Sequence, residues 1–203
     1  MATLSRNGEI EGDDPMRRRT LLTAAGLSIP LSLLQRFDDA LALSDEPDQP
    51  ERLSDIRQRL QVARRQFDVS ALPSLVAGLP GLLAVAKACA ERIDTPTGWT
   101  VLAACYNLST DVLNKVGRKP SAVITADRGV IYAQRSGDAV AMAASARAMG
   151  MMLRTSGRNE VAAQTLIRAA GRLDALGLRT ARQTDVYVRL LCAAAYATAG
   201  SGA

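Results

Sequence analysis

From Glu51 onward the sequence alternates amphipathic runs with short polar breaks, and the glycines closing every second run recur at a nearly constant interval. Gly117, Gly157 and Gly200 each follow a helix-length run, with spacings of 40 and then 43 residues. Glycine suits the left-handed position just past a helix C-terminus. Gly137 and Gly177 fall at the intervening breaks. A period of this size, with two helices in each, points to helix pairs that stack and bury their apolar faces on their neighbours.

Seven helices are predicted here, over about 51–66, 70–91, 98–116, 120–134, 138–155, 159–176 and 181–198. In the first, Leu53, Ile56, Leu60, Ala63 and Phe67 follow spacings of three and four and share one face. Arg57, Arg64 and Arg65 lie opposite. The second carries Leu72, Leu75, Val76, Leu79 and Leu83, and Pro80-Gly81 is expected to bend it. Hydrophobic residues make up 48% of the chain but aromatics only 3%, so the core must be built from Ala, Leu, Val and Met. Alanine favours helix and lets helices approach closely. The scarcity of β-branched and aromatic runs argues against a large sheet. The predicted fold class is all-α.

Small residues recur in register across the units. One unit offers Gly150 and Leu153, then Gly157, then Ala162, Leu166 and Ala169. The unit before it offers Tyr106, Leu113, Gly117, Ala122, Ala126 and Gly129. An earlier one offers Ile56, Leu60, Phe67, Leu72, Val76 and Leu79, and the last half-unit Ala193, Tyr196 and Gly200. This resembles a degenerate tetratricopeptide (TPR) pattern, with a small residue in helix A, a glycine turn and alanines in helix B. It departs from the family in a period longer than the usual ~34 residues and in lacking the proline at the unit end. The resemblance implies a TPR-like α-solenoid of antiparallel helix pairs over 51–203, about three and a half units long.

The N-terminal quarter reads differently. Residues 1–14 are polar, with Asn7-Gly8 and Gly12, and are expected to form a disordered lead. Asp14-Pro15 reads as a helix N-cap followed by proline at the first helical position. Three readings compete for 15–43. Arg17-Arg18-Arg19, an apolar run and Ala40-Leu41-Ala42 match a twin-arginine export signal, although Asp38-Asp39 precede the cleavage site. Ala25-Gly26-Leu27-Ser28 matches the turn of a helix-turn-helix and so a direct DNA binder, although Pro30 stands where a recognition helix would begin. The preferred reading is an opening helix, kinked near Pro30, that packs its leucine face on the next helices. Residues 44–50 form an acidic, proline-containing linker.

The stretch from Asp14-Pro15-Met16-Arg17-Arg18-Arg19-Thr20-Leu21-Leu22 to about residue 200 is similar to the C-terminal region of Xre-type regulators from high-GC actinobacteria. In those proteins a helix-turn-helix domain is followed by a TPR region that senses or binds a partner. That domain does not precede Asp14 here, so the resemblance implies transcriptional control exerted through a partner, with nucleic acid reached only indirectly. The last helix has no following helix B, and its uncovered face is a candidate homodimer surface.

The chemistry on offer is limited. The chain has no histidine, which excludes Ser-His-Asp and Cys-His catalysis and His-based zinc sites. Cys89, Cys105 and Cys192 are far apart and odd in number, and are read as small buried apolar residues in a reducing, cytoplasmic setting. No strand-anchored glycine loop marks a nucleotide site. Asp38 and Asp39 are adjacent and fall on different helix faces, a poor acid/base pair. No uninterrupted apolar run reaches the ~20 residues of a membrane span. The net charge of +5 is spread along the chain and permits an acidic partner. No catalytic residue, metal or cofactor is expected, and the chain is read as non-enzymatic.

Binding residues follow from the resemblance, because helix A lines the concave face of TPR stacks. The register gives Arg57, Gln61, Arg64 and Arg65 in the first unit. It gives Asn107, Asp111 and Asn114 in the second, and Arg147, Met151 and Arg154 in the third. Arginine and asparagine there would grip a terminal carboxylate or acidic segment by charge-assisted hydrogen bonds. A protein, a peptide or a small signal molecule is the expected partner.

Overall fold

The structure, a computed structural model, describes residues 29–43 and 49–200. The polar lead, the Asp14-Pro15 cap, the arginine run, the Ala25–Ser28 turn and most of the linker lie outside these residues. Within them the chain is all-α, with eight helices and no strand.

The helix that follows Pro30 is α1, Leu31–Ala42. Then come α2 (Leu53–Asp68), α3 (Leu72–Ile93), α4 (Pro96–Lys115), α5 (Lys119–Ser136), α6 (Ala139–Thr155), α7 (Asn159–Asp174) and α8 (Ala181–Ala199). Seven of these match the helices expected from periodicity to within a few residues. Local chemistry explains the boundaries. Thr95 caps α4 by accepting from the Gly98 amide, with Pro96 as the first helical residue. Asp138 accepts from the Val140 and Ala141 amides to start α6. Thr180 and Gln183 form a capping box on α8.

Two kinds of turn alternate. After α4, the Arg118 amide donates to the Leu113 carbonyl at 2.8 Å and the Gly117 amide to Asn114 at 3.1 Å. Forty residues later the Arg158 amide donates to Leu153 at 2.9 Å and the Gly157 amide to Arg154 at 3.0 Å. Both are Schellman turns, and both glycines have φ +78°. The same bonds occur after α2, where Ala71 donates to Gln66 and Ser70 to Phe67. There Ser70, at φ +57°, stands where the later turns have glycine. The other kind of turn holds Asp94, Gly137 and Gly177, all at positive φ. Gly200 departs from expectation: its φ is −78°, an ordinary right-handed value. Its carbonyl accepts from Asn159 Nδ2 at 2.6 Å, which holds the end of α8 against the start of α7.

Packing follows chain order. Each helix from α2 on packs against the next, and the even-numbered helices also touch one another in the sequence α2, α4, α6, α8. Between α1 and α8 no comparable contact is present. Small residues set the closest approaches. A Cβ on Gly150 of α6 would lie 2.7 Å from the buried Leu166 side chain of α7. One on Gly129 of α5 would meet Asn107 of α4 at 2.7 Å. Ala122, Ala126 and Ala162 are fully buried along the same seams. At the far end of α4 and α5, Tyr132 stacks between Trp99 and Tyr106, and Arg135 covers the Trp99 ring.

Two helices bear on the N-terminal readings. In α1, Phe37 and Leu41 are buried in the core it shares with α3. Asp38 pairs with Arg118 and accepts from Ser121, both at the start of α5. The helix α3 is long and apolar enough to cross a membrane, although no run of that length is uninterrupted in sequence. Its leucines and valines, Leu72 through Val85, and Ala86 line the core.

Candidate partner-binding groove

The even-numbered helices share a spacing. Each places residues at a position, four further on and three beyond that, on one face: Arg57, Gln61 and Arg64 on α2, Asn107, Asp111 and Asn114 on α4, and Arg147, Met151 and Arg154 on α6. On α8 the same spacing gives Arg189, Ala193 and Tyr196. That last set went unrecognised in the sequence, although the signal was present.

The structure brings the middle members together. Arg147 Nη2 donates to both carboxylate oxygens of Asp111, at 3.0 and 3.2 Å. Asn114 Nδ2 sits 3.7 Å from Met151 Sδ. Asn107 turns inward instead: it is buried, and its Nδ2 donates to Ser145 Oγ of α6 at 2.9 Å. Asn107 Oδ1 is buried without a partner, facing the Gly129 backbone. If the amide is flipped, its nitrogen takes the orphaned place, so one polar atom is left over either way. Asn107 therefore ties α4 to α6 and is not on the open face. Arg57, Gln61, Arg64 and Arg65 are exposed on α2.

The electrostatics centre on Asp111. Burial pushes its carboxyl above the ordinary range, and the Arg147 guanidinium, then Arg64 and Arg189, pull it back. One carboxylate thus faces arginines from α2, α6 and α8. Arg189 also pairs with Asp185, one turn earlier on its own helix. Arg64 and Arg154 make no ion pair among the described residues. Two cations are left over for an incoming acid.

Between α6 and α8 the face deepens into a hollow of about 290 Å³. Arg147, Met151 and Arg154 form one wall, and Arg189, Cys192 and Tyr196 the other. Cys192 corrects the expectation that all three cysteines are buried: it is exposed, on the wall of this hollow. Cys89 and Cys105 are buried as expected. Burial pushes the Cys105 thiol up to about 12, against the weaker pull of Arg64 and Arg59, so it stays a neutral thiol at neutral pH. Met152 fills the core, while its neighbour Met151 faces the hollow. Among the described residues no group of three or more metal-ligating side chains comes together. The arrangement can hold carboxylates by paired hydrogen bonds and accommodate a small apolar side chain beside them. The chain matches no known family model, no curated protein and no solved structure.

Proposed function

We propose that this chain is a non-enzymatic adaptor or regulator, a TPR-like α-solenoid whose even-numbered helices form a groove for an acidic segment or C-terminal carboxylate of a protein partner. The observation that carries this reading is the Asp111–Arg147 pair joining α4 to α6, with Arg64 of α2 and Arg154 of α6 left without an ion-pair partner among the described residues. An extended acidic peptide laid across α2, α4 and α6 would meet both cations. The hollow at α6 and α8 would take an apolar side chain of that peptide. The alternating turns at Ser70, Asp94, Gly117, Gly137, Gly157 and Gly177 support the repeat. A place in transcriptional control, in the cytoplasm, follows from the sequence resemblance alone.

The burial of Phe37 and Leu41 and the tie from Asp38 to α5 favour a retained α1 over cleavage after Ala42. The test of the groove is charge reversal. Arg64→Glu with Arg154→Glu should abolish salt-sensitive capture of immobilised acidic peptides and leave the helical circular dichroism signal unchanged. Capture unchanged in the double variant would reject the groove. A low-salt shift of duplex DNA by the intact chain would favour the direct DNA-binding reading instead.

A further inference from the structure

Helices α5 and α7 both lean on α6 but share no substantial contact with each other. The gap between them is a cleft of about 620 Å³, twice the size of the hollow on the groove side. It uses a different face of α6 from Arg147, Met151 and Arg154. Its floor is made of small and flexible side chains, Ala139, Ala143 and Ala146 with Met142 and Met149. Methionine adapts its shape to whatever packs on it. The size and the apolar lining are those of a small-molecule site.

The polar groups of the cleft are few and of one sign. Arg168 and Arg172 of α7 stand one turn apart on its rim, with Thr165 and Gln134 as neutral companions. Neither arginine pairs with an acid among the described residues. Two like charges at this spacing repel each other. Arg172 gains from the negative end of α7, in whose last turn it lies, whereas Arg168 sits a turn further from that end. An incoming anion would remove the repulsion, and its carbon chain would cover the exposed Met142 and the half-buried Ala139, Ala146 and Met149.

We propose that the cleft between α5 and α7 binds an amphipathic monocarboxylate, an aliphatic body of medium length headed by one carboxylate that Arg168 and Arg172 hold. This site is independent of the groove and stands whether or not acidic peptides bind there. A planar guanidinium matches a carboxylate through two parallel hydrogen bonds, which either arginine can offer.

The probes are dodecanoate, dodecanol and acetate, titrated calorimetrically below micelle-forming concentrations into the full chain. Dodecanoate should bind saturably at one per chain, dodecanol about ten-fold or more weakly, and acetate without detectable heat. Arg168→Gln with Arg172→Gln should bring dodecanoate down to the affinity of dodecanol and leave dodecanol unchanged. Ala146→Trp, which fills the cleft, should block both. Circular dichroism confirms that each variant is folded. The absence of saturable dodecanoate binding would overturn the proposal, as would binding that neither variant weakens. Sedimentation showing a ligand-free dimer that Ala146→Trp dissociates would assign the cleft to a second copy of the chain and overturn it equally.

Discussion

Gly150 and Gly78 both lie inside helices, yet a methyl group added to each should act in opposite directions. At Gly150 the new carbon would sit under 3.0 Å from Leu166 Cγ, Cδ1 and Cδ2, and Leu166 is itself buried in the core of α6 to α8. Gly150→Ala should therefore cost about 1–3 kcal/mol through overpacking. At Gly78 nothing lies within 4 Å. Gly78→Ala should gain about 0.5–1 kcal/mol by removing backbone freedom from the unfolded chain. Urea unfolding of both variants decides this, and equal shifts of the same sign would contradict the close α6–α7 seam. Asp111 makes a second prediction. Its carboxyl holds its proton to higher pH in the folded than in the unfolded chain. Its favourable contribution is therefore complete below the ordinary value of 3.8 and is lost as pH rises through the raised value. Asp111→Asn does not titrate, so the variant should gain stability relative to the natural chain as pH rises above the ordinary value of 3.8. A stability gap that stays flat, or moves the other way, would refute this. The small residues at these seams were legible in the sequence because their register recurs. The inward turn of Asn107 was not, because helical spacing alone does not tell a groove residue from one at a helix–helix seam.

At the scale of helices and turns, periodicity and glycine placement gave most boundaries. The breaks near Ser70 and Asp94 follow from periodicity, but their left-handed geometry was hidden because non-glycine residues adopt it there, which aspartate tolerates better than most. Gly200 misled in the other direction, since its carbonyl is held by a side chain from α7 in place of a left-handed turn. The role of Asp38 was out of reach because its partners, Arg118 and Ser121, lie some 80 residues away. The helix α8 packs one side on α6 and α7 and leaves Leu191 exposed outside the hollow, beside Val188 and Tyr196 on the hollow's rim. Its uncovered face should drive weak self-association of the chain. Sedimentation equilibrium should show a monomer–dimer exchange that Leu191→Glu abolishes. A strict monomer at the highest attainable concentration would rule the interface out.

At the scale of the molecule, the proposed groove requires an open row of helices. The even-numbered helices touch in sequence, and α2 and α8 are its two ends. The proposed groove was partly legible, since the spacing of four and three recurs from α2 to α6. Its extension onto α8 was overlooked, and the cleft between α5 and α7 was invisible, because a gap between helices depends on how the stack is assembled. Cys192 is exposed on α8 while Cys89 and Cys105 are buried, so a spin label can be attached there without altering the core. A second label at Gln61→Cys on α2 marks the other end of the row. Three steps of 8–10 Å between neighbouring axes separate these helices by about 24–30 Å. Pulsed electron spin resonance should find a single distance population in or somewhat above that range. A dominant population near 10 Å would mean that α2 and α8 close on each other as neighbours in a bundle, and would contradict the open groove.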